Sequence, residues 1–495
     1  MGKLQSLAKD TAIYGLSSII GRFLNYLLVP LYTAKMSVES GNYGVVTNIY
    51  AWTAILLVLL TFGFETTFFR FASKEKGDVG KVFSMSMQVI GALCGVFLLF
   101  VFLFMPSIAE TLGYEMHPEF IGMMAVVVAL DALQSIPFGL LRLQNRALKF
   151  ASLKLLNIFT NIALNLIAFL LLPWLYNKSP ETFDGIYNPS NQAFYVFFIN
   201  LVCTSFITLF FIPELKIFRF TLDGALLKNM LKYSWPLLLL GIAGILNLNA
   251  DKILYTYLVP GQEGIKDLSI YGASVKVAAI MAMLMQAFRY AYEPFVFGNS
   301  KDKNSKALYA KAMKYFIVIA LLAFLVVMFY MDILRHIISP DYWEGLKVVP
   351  IIMAAEIFMG IYFNLSFWYK LNDETYWGAI FSFIGCALLF VVNIMFVPKY
   401  GYIACAWASF TGYLVAMLLS YFVGQKRNAI NYDIKAIFKY VLLFVAVYGI
   451  SLLLPIENSV LKIVCNTLLL VVYIAYFIKK DLPLKSIPVI NRFFR

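Results

Sequence analysis

Fourteen stretches of this chain are long and apolar enough to cross a lipid bilayer, and little is left outside them. A crossing helix needs about 20 mostly apolar residues. The runs 10–34, 43–69, 83–106, 119–142, 153–176, 193–213, 234–258, 269–297, 313–333, 348–370, 376–397, 402–424, 438–455 and 460–478 meet that requirement and are numbered spans 1–14. The expected class is an all-α polytopic membrane protein with 14 transmembrane helices. Of 495 residues, 61% are hydrophobic and 14% charged, against about half and a quarter in a soluble domain. So few charges cannot clothe a soluble surface. The longest connections, 177–192 and 214–233, leave no room for a soluble domain. The opening MGKLQSLAKDTAIYG lacks the apolar core and cleavage site of a signal peptide.

The net charge of +13 would suggest nucleic acid in a soluble protein. Threading the spans alternately from a cytoplasmic N-terminus explains it otherwise. Twenty-nine Lys and Arg residues fall on the cytoplasmic side, and seven on the outer side: Lys35, Lys178, Lys266, Arg335, Lys347, Lys399 and Lys462. Such an excess is the positive-inside rule at work, so both termini are expected in the cytoplasm and no nucleic-acid partner is implied. The five cysteines all lie in apolar runs, without disulfide or zinc spacing. His117 and His336 are the only histidines, which disfavours His-based catalysis. No cofactor and no metal site are expected.

The chain repeats itself under a shift of 228 residues. Tyr43-Gly44 meets Tyr271-Gly272, Glu65 meets Glu293, Phe69 meets Phe297, Arg142-Leu143 meets Lys370-Leu371, and Asn165 meets Asn393. With two residues allowed for a shorter loop, GRFLNYLLVP of span 1 lies on DKILYTYLVP of span 7, which sets Arg22 opposite Lys252. Apolar helices align readily by chance, but charges inside spans do not. Six spans per unit make the repeat parallel, with a pseudo-two-fold axis along the membrane normal. The expected organisation is an N-terminal lobe at 1–220, a C-terminal lobe at 221–430, and two additional spans with a short basic cytoplasmic tail at 431–495. Duplicated bundles of this kind bind substrate where the repeats meet and work by rocking.

A charge at mid-membrane costs at least about 2.5–3.5 kcal/mol on insertion scales, so it faces a cavity or a partner. Here the cations inside spans are Arg22, Lys252, Lys276 and Arg289, and the carboxylates are Glu65, Asp131, Asp251, Glu293 and Glu356. Helical spacing groups them with other polar residues. Tyr14, Ser18, Arg22 and Asn25 share a face of span 1, and Lys154, Asn157, Asn161 and Asn165 make a stripe on span 5. Asn249, Lys252 and Thr256 share a face of span 7, and Gln286, Arg289 and Glu293 one of span 8. Four polar stripes can wall a hydrated cavity. The bland alternative is that these groups pair among themselves and lock helices together: Asp251 with Lys252, Arg289 with Glu293, and the span 5 asparagines as interhelical glue.

At these residues the sequence resembles a known family. The run TAIYGLSSIIGRFLNYLLVPLYT, the stretch NADKILYTYLVP and FRYAYEPFVF of span 8 are similar to polysaccharide flippases of the multidrug/oligosaccharidyl-lipid/polysaccharide exporter superfamily. The resemblance covers essentially the whole chain, through diffuse motifs. It implies a transporter and not an enzyme, resident in a bacterial cytoplasmic (inner) membrane. Such a protein carries an oligosaccharide on undecaprenyl pyrophosphate from the inner to the outer leaflet by alternating access through a cationic central cavity. Arg22, Lys252, Lys276 and Arg289 would then hold the pyrophosphate, and Tyr14, Asn25, Asn157, Asn161, Asn165 and Asn249 would line the sugar path. Glu65, Asp131, Asp251, Glu293 and Glu356 would gate or couple to H+, Na+ or the membrane potential. In related peptidoglycan-precursor flippases two extra helices form a groove for the lipid tail, where spans 13–14 stand here. The serine-rich opening helix of that branch is missing, which favours the O-antigen and capsule type. The implied partners are a lipid-linked anionic glycan, membrane lipids and glycan polymerase or assembly machinery, with the chain acting as a monomer. The competing expectation is a cation-coupled exporter of small molecules or drugs from the same superfamily.

Overall fold

A computed structural model describes residues 21–481 apart from 22, 25, 75–77, 184, 222, 299–304, 373, 455 and 457. Among these, thirteen helices are long and apolar enough to cross a membrane. They are Asn42–Ser73, Val79–Leu112, Glu119–Leu143, Ala147–Lys178, Gln192–Leu209, Gly224–Leu258, Gln262–Arg289, Ser305–Phe329, Pro340–Leu371, Tyr376–Tyr400, Tyr402–Arg427, Ile434–Leu453 and Ser459–Lys480. They coincide in order with spans 2–14. Of span 1 the described helix is Leu28–Lys35, so Tyr14, Arg22 and Asn25 lie outside the described residues. No strand occurs among the described residues. A bilayer admits only helices or closed barrels, because every backbone group must be satisfied internally. The described residues take the first solution.

Side chains start several spans by satisfying otherwise orphaned N–H groups. Asp78 accepts from the Lys81 amide at the head of span 3, and Asp223 from Ala225 and Leu226 at the head of span 7. Asp433 and Asn458 do the same for spans 13 and 14. The Lys81 ammonium, 2.6 Å from Asp223, ties the first and second of these caps together and holds the Asp223 carboxyl below its ordinary range.

Two spans depart from straight helix. Span 2 breaks after Thr61, where Phe62 (φ 48°) and Gly63 (φ 69°) are left-handed and a new helix starts at Phe64. A Cβ on Gly63 would lie 2.9 Å from Leu237 Cβ, so the site needs glycine for space as well as for backbone. The repeat-related span 8, in contrast, runs unbroken over Gln262–Gly298. In span 5 a π-helical turn occupies Ile167–Leu171, just after Asn165. Pro173 follows it and has no N–H to give to the carbonyl of Phe169, so the ladder is reset locally. Pro137 and Pro236 sit inside continuous helices.

The chain divides into two compact units, residues 1–273 with 389–405 and residues 274–388 with 406–495. The first has a core of Phe64, Phe68, Phe83, Ile136 and Leu140, joining spans 2, 3 and 4. In the second, Tyr292, Val296, Tyr309 and Phe367 pack together. Its last two spans lean on span 9: from span 14 Tyr473 donates to the Val318 carbonyl at 3.1 Å and Asn466 to that of Phe329 at 3.2 Å, and from span 13 the Phe444 ring lies 5.1 Å from that of Phe324.

Candidate functional site

The acidic residues matched by the repeat are each paired with a cation, in an equivalent way. Glu65, one residue into the helix that follows the span 2 break, pairs with Arg142 at the end of span 4. Glu293 of span 8 has Lys370 of span 10 at 3.9 Å. The cations also lie over rings: Arg142 over Phe69 at 5.0 Å, and Lys370 over Phe363 at 4.7 Å and Phe367 at 4.9 Å. All four side chains remain partly exposed. Exposed pairs of this kind hold geometry loosely and can be exchanged.

A polar chain continues from the first pair through unit one. Lys154 of span 5 interacts electrostatically with Glu65, Arg142 and Asp131, and its ammonium lies 4.0 Å from the Phe138 ring centre. Asp131 of span 4 in turn feels Lys154, and Tyr50 of span 2 feels Asp131. Asn200 of span 6 donates to the Tyr50 hydroxyl and Asn161 donates to Asn200 at 3.5 Å. Asn165 donates to Asn161, and Tyr32 donates to Asn165 at 2.8 Å. Lys154 and Tyr50 both remain accessible in the structure. The span 5 stripe is therefore real, and half-buried Asn157 lies on it. Lys154 at its head belongs to the stripe in the sequence but is not among the four intramembrane cations named there. Tyr50, Asn200 and Tyr32 were missed, since single polar residues in apolar helices carry no pattern.

A second cluster surrounds Asp251 and Lys252 of span 7. Lys252 Nζ is 3.0 Å from the carboxylate of its neighbour, which is 4% exposed. Tyr271 donates to that carboxylate at 2.5 Å. Asn48 of span 2 donates to the Lys252 carbonyl at 2.9 Å and accepts from Tyr114 at 3.0 Å. Asn249 donates to the Ile245 carbonyl of its own helix. The expectation that Asp251 and Lys252 satisfy each other thus describes this conformation, and an incoming anion would have to displace Asp251 from Lys252.

Span 8 carries the remaining cations. Lys276 is exposed. Arg289, also exposed, has its guanidinium 4.7 Å over the Phe363 ring, and among the described residues no carboxylate lies within ion-pair distance of it. The pairing of Arg289 with Glu293 one turn on does not occur, because Glu293 turns to Lys370. Glu356 is half-buried on span 10. No group of metal-binding side chains exists among the described residues.

The model of a family described as polysaccharide biosynthesis protein matches residues 7–292. No match is found among curated proteins. Among solved structures, the lipid II flippase MurJ in an inward closed conformation superposes with TM-score 0.72 at 14% identity, covering 94% of this chain and 98% of its own. An inward-facing multidrug resistance transporter of the MATE family, in the MOP superfamily, gives 0.60 at 15% identity, covering 84% and 95%. An outward-facing one gives 0.56 at 14%, covering 85% and 95%. At these identities the likeness establishes the fold. With a family match over more than half of its length, on a multi-pass helical fold shared with flippases and transporters, the chain belongs to the polysaccharide biosynthesis protein family.

Proposed function

We propose that this protein moves a lipid-linked oligosaccharide with a pyrophosphate head from the inner to the outer leaflet of a cytoplasmic membrane, by alternating access through a cationic cavity. The observation that carries the reading is Arg289, an exposed cation inside an apolar span with no carboxylate partner among the described residues. Such a charge is tolerated where water reaches it and useful where an anion visits it. Lys154 and Lys252 are among the cations of unit one, and Lys276 and Arg289 among those of unit two. A pyrophosphate meeting such groups in a low-dielectric setting gains charge-assisted hydrogen bonds. Tyr32, Tyr50, Asn161, Asn165 and Asn200 offer the amides and phenols that sugars bind. Lys252 becomes available when its pair with Asp251 opens, so this pair is our candidate for coupling to H+ or Na+. The family to which the chain belongs supports the glycan.

The test is complementation of a flippase-null strain. Arg289→Ala should abolish it at normal protein levels, Arg289→Lys should retain part, and Arg289→Glu should be worse than Ala, since charge matters here more than the bidentate fork. Normal complementation by the Arg289→Ala, Lys252→Ala double variant overturns the anionic-lipid reading. The solved multidrug transporters that share the fold favour a second reading, cation-coupled export of small molecules. That reading gains if expression raises drug resistance and Arg289→Ala leaves the resistance unchanged.

A further inference from the structure

At the end of the second unit, a cavity of 430 Å³ opens where span 9 begins and span 14 ends, with the 431–433 connection along its side. That volume lies within the range of small-ligand clefts, about 300–1,000 Å³. Its lining is unlike that of the spans above it. Lys311, Lys314 and Lys480 face Asp433 and Asp481, with Tyr315 between them. The two carboxylates are already engaged. Asp433 caps span 13 by accepting from the Ala436 amide at 3.0 Å. Asp481 pairs with Lys314 and accepts from Tyr440 at 2.5 Å, while its backbone carbonyl accepts from Tyr315 at 2.9 Å. Burial pushes the Asp481 carboxyl up, but the Lys314 ammonium and the Tyr440 hydroxyl more than offset this and hold it below the ordinary range. Asp481 is therefore charged near neutral pH, and with Lys314 it forms a nearly neutral floor.

Two cations remain at the rim. Lys311 and Lys480 are exposed, and among the described residues no carboxylate lies within ion-pair distance of either. Lys480 donates to the Tyr476 hydroxyl at 3.2 Å, and Lys311 lies 5.9 Å from the Tyr315 ring centre. Lysines and tyrosines at the ends of spans sit at headgroup depth. On the charge distribution this is the cytoplasmic end of the spans, and basic pockets between helices there suit anionic headgroups.

We propose that this cavity binds the headgroup of one anionic glycerophospholipid, its phosphate between Lys311 and Lys480 and its hydroxyls toward the outer oxygen of Asp433. The occupant is a resident membrane lipid, distinct from the transported one, and it fastens the last two spans to span 9. The site is independent of the transport reading, since it lies outside the polar clusters assigned to the glycan.

Native mass spectrometry of the full chain in detergent tests this, with phosphatidylglycerol, phosphatidylcholine or sodium phosphate added. One phosphatidylglycerol should be retained preferentially. Lys311→Ala, Lys480→Ala should weaken retention about 25-fold, taking about fivefold per lysine near a surface. The control Lys228→Ala, Lys232→Ala removes the same charge from exposed positions elsewhere and should leave retention unchanged. Unfolding temperatures without lipid identify any variant that fails to fold, and Lys311→Arg, Lys480→Arg should then restore retention. Equal retention by the Ala variant, equal loss in the control, retention of phosphatidylcholine to the same extent, or full displacement by inorganic phosphate would each overturn the proposal.

Discussion

Glu65 and Glu293 each meet a cation 77 residues further along, Arg142 and Lys370. Their side chains are partly exposed, so each pair contributes about 0.2–1 kcal/mol and is suited to opening and closing. Glu65→Gln with Glu293→Gln should leave expression largely intact while shifting the open-inward fraction. Cysteine accessibility of the cavity from the cytoplasmic side measures this, and unchanged accessibility would remove both residues from any gate. The equivalence of the two pairs is legible in the sequence, because one shift of 228 residues aligns carboxylate with carboxylate and cation with cation. The pairing is not, since nothing local in an apolar helix says which distant span supplies the partner. Lys154 shows the other limit: its place on the stripe is legible from helical spacing, but its approach to the Phe138 ring of span 4 is not.

At the scale of elements, the shared Tyr-Gly pairs of the repeat mark a close crossing of spans 2 and 8. A Cβ on Gly44 would lie 2.1 Å from the Ile265 carbonyl oxygen, and one on Gly272 2.5 Å from Thr47 Oγ1. Gly44 also donates to the Ser269 hydroxyl at 2.7 Å. Gly44→Ala or Gly272→Ala should destabilise by about 1–3 kcal/mol through overpacking, seen as a lower unfolding temperature in detergent. Gly95→Ala, in mid-helix with no atom beyond its own helix backbone within 4 Å, should not lower it. The attachment of span 14 has a pH dependence of fixed sign. The Asp481 carboxyl is held low, so its stabilisation is complete above the ordinary carboxylate range and lost as pH falls below it. Asp481→Asn should lower the unfolding temperature at neutral pH, and the gap to the parent should close below about pH 4. Spans 2–14 were legible from hydropathy alone, whereas the break at Phe62–Gly63 and the π turn at Ile167–Leu171 were not. Both depend on neighbours: Leu237 crowds the first, and the second is reset around a proline that hydropathy does not register.

For the whole molecule, the uneven division of Lys and Arg predicts the orientation. With Cys465, the half-buried one of the five native thiols, replaced by Ser, a cysteine at Asn177 should react with an impermeant reagent from outside and one at Ser305 should not. Labelling of Ser305 from outside would overturn the span order. We propose residues 1–220 and 221–430 as the moving lobes of the cycle. The repeat read from the sequence makes spans 2 and 8 counterparts, yet the two differ in mechanical character. Gln262–Gly298 is 37 residues of uninterrupted helix, a rod about 55 Å long at 1.5 Å per residue, so a push at one end arrives at the other. Its counterpart has an elbow at Phe62–Gly63, and a push stops there. We propose that one lobe acts as a lever and the other as a flexing arm, with forward and return strokes that are not mirror images.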